Sequence, residues 1–395
     1  MDLGDRFPAP DAAYVHIPFC RRRCFYCDFP ISVVGETRRG ENSGAIAQYI
    51  TQLCTEIRRT PNLGTPLQTV FFGGGTPSLL SVEQLETVLT TLEQQFGIAA
   101  DAEVSMEMDP DTFDLAHVQG YRACGVNRIS LGVQAFQAEL LQVCGRTHQP
   151  DDIPIAVEQV RMAGIDNLSL DLISGLPHQT LEQWASSLEQ AIALDPQHLS
   201  VYDLIVEPGT AFARRYKPGD KPLPSDTLTA DMYRLAQQTL SAAGLQHYEI
   251  SNYAKLGYTC RHNLRYWENC AYYGFGMGAA SYVQGQRFSR PRTRREYFAW
   301  LETGMPVDVP VATEGDRLLD RLMLGLRLST GLSLPALEQE FGQNTVAQIL
   351  ATLKPYADRG WVAYQPKQDL CLVDPDGFLF SNTTLAALFE QFSED

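Results

Sequence analysis

Residues 16–29 read His16-Ile17-Pro18-Phe19-Cys20-Arg21-Arg22-Arg23-Cys24-Phe25-Tyr26-Cys27-Asp28-Phe29. Three of the nine cysteines fall within eight residues here. Cys54, Cys124, Cys144, Cys260, Cys270 and Cys371 are scattered and read as small buried hydrophobes. Spacings of three and two intervening residues let one loop aim three thiolates at three corners of a cubane [4Fe–4S] cluster. The fourth iron, left without a protein ligand, can take an external chelator, a role that suits the amino and carboxylate groups of S-adenosylmethionine. Arg21–Arg23 would ease the build-up of negative charge on cluster and thiolates. The competing readings are a zinc site and unligated thiols. Zinc wants a fourth ligand close by, and His16, on the preceding strand, is awkwardly placed to close a tetrahedron.

That preceding strand, Ala13–Ile17, opens a repeating pattern. Further β-rich runs occur at Thr69–Phe72, Glu103–Met108, Arg128–Leu131, Asn167–Leu172 and His198–Tyr202. Several are dense in β-branched or aromatic residues, as strands buried on both faces should be. Helical stretches lie between them. In Val82–Phe96 the residues Leu85, Val88, Leu89 and Leu92 recur at three- and four-residue spacing, and Ser81 with Gln84 forms a capping box. Six β/α repeats predict an α/β fold, an open partial (β/α)6 barrel with reactive groups at the carboxyl ends of its strands. The barrel core is expected over residues 1–245, ending near the Pro- and Gly-rich segment Pro208–Pro224. An aromatic- and glycine-rich connecting region spans 246–309. Residues 310–395 read as a small C-terminal α+β unit of winged-helix type. Its helices are expected at Asp316–Leu328 and Leu334–Phe341, and its strands at Trp361–Tyr364 and Leu370–Val373.

Composition narrows the function. The chain is 44% hydrophobic over 395 residues, enough for a packed core. It has no uninterrupted apolar run of spanning length, and its first residues are acidic, so a cytoplasmic location is expected. Forty-seven acids against 31 bases give a net charge of −16, which repels phosphate backbones and argues against a nucleic-acid partner. Arg287, Arg290, Arg292, Arg294 and Arg295 form a local exception. They are either a solvated basic stretch or a docking patch for carboxylates.

Isolated polar residues follow successive strand candidates. Gly73-Gly74-Gly75-Thr76-Pro77 lets backbone approach a ligand with no Cβ in the way. Glu107 is a candidate acceptor for ribose hydroxyls, Gln134 and Asp171 occupy similar places, and Arg146 suits a bidentate grip on a carboxylate.

The C-x3-C-x2-C run after a first strand closely resembles the radical S-adenosylmethionine superfamily. Tyr14, the three cysteines, Gly74, Gly75, Thr76, Glu107, Gln134, Arg146 and Asp171 resemble, with similar spacing, the S-adenosylmethionine pattern of oxygen-independent coproporphyrinogen III oxidases and their relatives. The likeness implies that Tyr26 covers the adenine, with Ile205 near it. Two departures separate the chain from the oxidase. Phe29 stands where the oxidase pattern has a further cysteine, and Tyr14 lies only 13 residues from the start, without a long N-terminal extension. Both features resemble the heme chaperone branch, as does His262-Asn263-Leu264-Arg265-Tyr266-Trp267, which matches its H-N-x-x-Y-W signature. The resemblance implies heme as a further ligand. His262 would supply an imidazole to its iron, with Asn263, Tyr266 and Trp267 around the porphyrin, and Cys260 is either a second ligand or an ordinary buried thiol. It also implies a heme-accepting partner protein, a membrane-associated one among the candidates. The alternative is the oxidase itself, which decarboxylates coproporphyrinogen III by hydrogen-atom abstraction. An RNA-modifying radical enzyme fits poorly with the acidic balance.

Overall fold

The computed structural model describes residues 7–37, 39–364 and 369–393. Six parallel strands form its centre: β1 (Ala12–Ile17), β2 (Leu67–Gly74), β3 (Ile98–Met108), β4 (Arg128–Gln134), β5 (Asn167–Ser174) and β6 (His198–Asp203). They lie side by side in chain order. Val15, Ile17, Phe72, Met106, Ile129, Leu131, Leu168, Leu170 and Leu199 are fully buried, which is why these runs are apolar without alternation. Helices return the chain between strands, as parallel pairing requires. One of them, Val82–Phe96, begins at the reciprocal Ser81–Gln84 capping box and buries Leu85, Val88, Leu89 and Leu92.

The sheet grows at both edges. β7 (Gln246–Glu249) and β8 (Asn252–Ala254) extend it antiparallel through β8 on β6. β9 (Tyr273–Phe275) pairs parallel with β1. The nine strands run β9-β1-β2-β3-β4-β5-β6-β8-β7, so the barrel stays open between β9 and β7. Residues 246–309, expected to connect two units, thus supply three strands to the barrel sheet. Tyr253 and Phe275, at 1% and 0% exposure, belong to the same apolar core as β1 and β2.

The C-terminal unit has its own core, built from Leu322, Leu326, Ile349, Leu353, Leu370 and Leu388. Helices Glu314–Gly325, Leu334–Phe341 and Gln343–Ala357 pack beside the strands Leu332–Ser333, Val362–Tyr364 and Asp369–Leu372. The first helix was expected to reach Leu328 but stops at Gly325, where the Leu332 side chain occupies the space of a Cβ.

The arginine cluster does not form one patch. Arg287 pairs with Asp320 at 3.0 Å, and Arg292 donates to the Asp28 carbonyl at 2.8 Å. Arg290 is buried and donates to Glu56 at 2.7 Å. Glu56, fully buried on the helix Gly44–Arg59, also accepts from the Tyr297 hydroxyl at 2.6 Å and the Gly276 N–H at 2.8 Å. This ion pair fastens the segment around β9 to the first helix of the barrel. Removing one partner strands the other charge without compensation. Arg290→Ala should cost about 3–5 kcal/mol in chemical denaturation, and a loss near that of an exposed pair, under about 1 kcal/mol, would contradict the assignment.

Candidate functional site

β1 ends at Ile17 and the chain enters the cysteine loop, which docks on the turn after β2. The Gly75 N–H donates to the Ile17 carbonyl at 2.9 Å and the Thr76 N–H to the Phe19 carbonyl at 2.7 Å. A Cβ on Gly75 would lie 2.7–2.9 Å from backbone atoms of Ile17 and Phe19. On Gly74, at φ +109°, it would run into the His16 ring. Gly75 therefore makes room for the start of the cysteine loop and Gly74 for the His16 ring.

Cys20, Cys24 and Cys27 line a cavity of about 430 Å³ at the carboxyl ends of the strands. Tyr26, Gly74, Gly75 and Thr76 share it, as do Glu107, Gln134, Arg146, Asp171 and Ile205. Gln134 ends β4 at φ +67°, a left-handed conformation rare for a residue with a side chain. The pairing of β4 with β5 shifts register just before it. Tyr14, expected among the S-adenosylmethionine residues, is not one of the lining residues. Its hydroxyl donates to His16 Nδ1 at 3.0 Å, while His16 Nε2–H donates to the Pro30 carbonyl at 3.0 Å. Burial holds His16 down to about 4, so the ring is neutral and can play both parts.

Arg146 is partly committed within the protein. Its Nη2 donates to Asp109 and to the Gly132 carbonyl at 2.7 Å, and its Nη1 lies 3.6 Å from Cys24 Sγ. Its buried Nε has no partner, and one Nη1 N–H is also uncommitted. Asp109 also accepts from Thr76 Oγ1 at 3.1 Å. Asp109 escaped the sequence reading, although two-residue strand periodicity puts it in phase with Glu107. Ser130, paired with Glu107 across β3 and β4, donates to Asp171 at 2.9 Å.

The thiols fit a cationic group. Burial pushes the Cys20 and Cys27 thiols up, and the Asp109 carboxylate and the neighbouring sulfurs push Cys20 further, so these two would not ionise unaided. Bound iron supplies the missing positive charge, and its binding releases the protons. Among the described residues, no three His, Cys, Asp or Glu side chains form a set that could hold one metal ion. A cubane takes each thiolate on a different iron and needs no such convergence.

His262, expected to supply an imidazole to heme iron, sits at the opposite end of the barrel. The ring is 1% exposed, Nδ1 lies 2.7 Å from Thr69 Oγ1 and Nε2 2.8 Å from the Tyr266 hydroxyl. Each nitrogen thus has a hydroxyl partner, and burial drives the imidazole down to about 3. The helix Arg261–Trp267, carrying Asn263 and Trp267, plugs the amino-terminal mouth of the barrel. Glu103 caps it, accepting from the Arg261 and His262 N–H groups at 3.0 and 3.1 Å. Cys260 is fully buried, with Sγ 3.6 Å from Glu103.

Residues 14–191 match the Radical SAM superfamily and residues 312–367 the HemN C-terminal domain. The heme chaperone HemW of Synechocystis is 48% identical over 98% of both chains. The Bacillus subtilis protein of that name is 36% identical over 89% of this chain and 92% of its own. The chain belongs to the HemW family. A solved structure, the Escherichia coli coproporphyrinogen III oxidase HemN, a radical SAM enzyme, superposes with a TM-score of 0.82 at 26% identity, covering 98% of this chain and 91% of that one. A [4Fe–4S] cluster and S-adenosylmethionine are properties of the radical SAM superfamily to which HemW proteins belong.

Glu107 makes the cavity sensitive to pH. Burial, with Asp171 and Asp109 nearby, pushes its carboxyl up to about 7 although Gly74 donates to it at 2.9 Å. A ligand that donates hydrogen bonds to the carboxylate binds the ionised form, so affinity rises with pH until the free group is fully ionised. S-adenosylmethionine affinity, measured by calorimetry from about pH 6 to pH 8, should increase and level off above about 7. Glu107→Gln should bind weakly with a flat profile. A flat profile in the unaltered chain would contradict a role for Glu107.

Proposed function

We propose that the chain binds heme and delivers it to an acceptor protein while carrying a cluster on Cys20, Cys24 and Cys27 and S-adenosylmethionine beside it. The observation that carries this reading is the near-full-length identity to a heme chaperone. Phe29 adds to it. Where the oxidase pattern has a cysteine, this large apolar side chain lines the cavity and is 56% exposed.

In this reading Arg146 holds Cys24 Sγ in place, fixed in turn by Asp109, and keeps its Nε for the methionine carboxylate. The carbonyls of Gly74 and Gly75 meet the amino group, whose N–H groups donate to carbonyl oxygens. Glu107 and Asp171 accept from the ribose, Gln134 positions it, and Tyr26 and Ile205 cover the adenine. The cluster and S-adenosylmethionine, when bound, supply one-electron chemistry. Heme is the cargo.

The close structural likeness to coproporphyrinogen III oxidase keeps a second reading in view. One anaerobic experiment separates the two. Cluster-reconstituted chain should bind hemin and pass it to an apo-hemoprotein. With reductant, S-adenosylmethionine and coproporphyrinogen III it should form no protoporphyrinogen IX over multiple turnovers. Sustained turnover would establish the oxidase instead.

A further inference from the structure

The cysteine loop lies at the protein surface. Cys20, Cys24 and Cys27 are half-buried, and Arg22, Arg23, Asp28 and Phe29 beside them are exposed. Arg21–Arg23 were expected to ease negative charge on a cluster. Arg21 is instead half-buried and paired with Asp111 at 3.3 Å. Arg23 Nη1 donates to the Cys27 carbonyl at 3.2 Å, which lays an exposed guanidinium against the backbone of a cluster ligand.

A second cationic segment packs on the same loop. The Phe212 N–H, in the short helix Ala211–Arg215, donates to the Phe25 carbonyl at 2.9 Å. The Arg215 guanidinium lies over the Phe25 ring, 4.6 Å from its centre, and Phe25 directly follows Cys24. Arg214 and Arg215 are both exposed. Arg22, Arg23, Arg214 and Arg215 make no ion pair among the described residues. Four uncompensated positive charges therefore lie around the loop, with Asp28 as the exposed acid on the loop itself. They do so in a chain of net charge −16.

The face has an apolar part as well. Val33 stands opposite Cys20 in a parallel pair and is exposed, as is Phe29. Exposed apolar side chains beside unpaired arginines have the make-up of a protein-binding surface. Its place also answers a need of the site. A cluster that gives up one electron must be given another before it acts again, and the donor has to come close to it.

We propose that this face docks an acidic electron-carrier protein, whose carboxylates meet Arg22, Arg23, Arg214 and Arg215 and which passes electrons to the cluster through the cysteine loop. The inference rests on the reading of Cys20, Cys24 and Cys27 as cluster ligands and adds the partner that serves them. One electron leaves the reduced carrier, which is oxidised, and reduces the cluster by one unit; no bond forms or breaks and no proton moves. Guanidinium groups suit the carboxylates of such a partner, and opposite charge brings the two together quickly without a long-lived complex. A nucleic acid or an anionic membrane would also meet the negative remainder of the surface, whereas a small carrier covers the patch alone.

The test uses the reconstituted full chain and a plant-type ferredoxin, a low-potential carrier, as the probe. Its affinity is measured by calorimetry, and the rate at which excess reduced ferredoxin bleaches the cluster is followed by visible absorbance. Binding should weaken steadily as salt rises from about 0.05 to about 0.5 M. Arg214 donates to the Gly209 carbonyl at 3.2 Å, so replacing it leaves the contacts of the cysteine loop in place. Arg214→Glu should weaken ferredoxin binding by about tenfold at low salt and slow reduction by a similar factor. Iron content, and reduction by photoreduced deazariboflavin, a small uncharged donor, should not change. Arg214→Glu with Arg215→Glu should weaken binding further. Equal ferredoxin affinity in the unaltered chain and both variants, or binding of anionic phospholipid vesicles but not of ferredoxin, would overturn the inference while leaving the cluster reading intact. A reconstituted chain without a cluster would overturn both.

Discussion

The docking of the cysteine loop onto the glycine turn after β2 is the constraint on which the site depends. Two backbone hydrogen bonds, from Gly75 to Ile17 and from Thr76 to Phe19, set where the loop leaves the sheet. They form only because no Cβ stands between the two backbones. A loop of three cysteines joined to the barrel elsewhere would carry its thiols away from Glu107, Gln134 and Asp171. With the loop seated, the ends of successive parallel strands deliver those residues to one cavity, as the geometry of such sheets favours.

A column of rings runs from this turn through the barrel. His16 packs against Gly74 and bonds to Tyr14. Tyr14 stacks on Phe71 at 6.3 Å between centroids, and Phe71 stacks on His262 at 5.2 Å. The aromatic motif that carries the family signature is thus the floor on which the ligand end of the barrel rests. The polar atoms of His262 are satisfied by Thr69, Glu103 and Tyr266, as burial demands.

The strands were legible because burial on both faces leaves a continuous apolar run in each. Val82–Phe96 was legible because periodicity and a capping box are local signals. The polar residues of the cavity could be read for a related reason, each standing alone at the end of an apolar strand. Other features depend on contacts across long stretches of chain. His262 meets Thr69, 193 residues away, and a motif shows an imidazole without showing what surrounds it. Arg146 is committed to Asp109 by tertiary structure, so its grip on a ligand cannot be inferred from residue type. β9 is three residues long, and its place beside β1 is fixed by the buried Glu56–Arg290 pair, which no local pattern announces.

The central claim is that three cysteines hold a cluster whose fourth iron is open to S-adenosylmethionine. Electron paramagnetic resonance of the reduced, reconstituted chain tests it directly, with and without S-adenosylmethionine. The account predicts the signal of one four-iron cluster per chain, altered in its g-values when S-adenosylmethionine binds, and lost in Cys24→Ala. A spectrum that S-adenosylmethionine leaves unchanged, or a full cluster signal in Cys24→Ala, would contradict it.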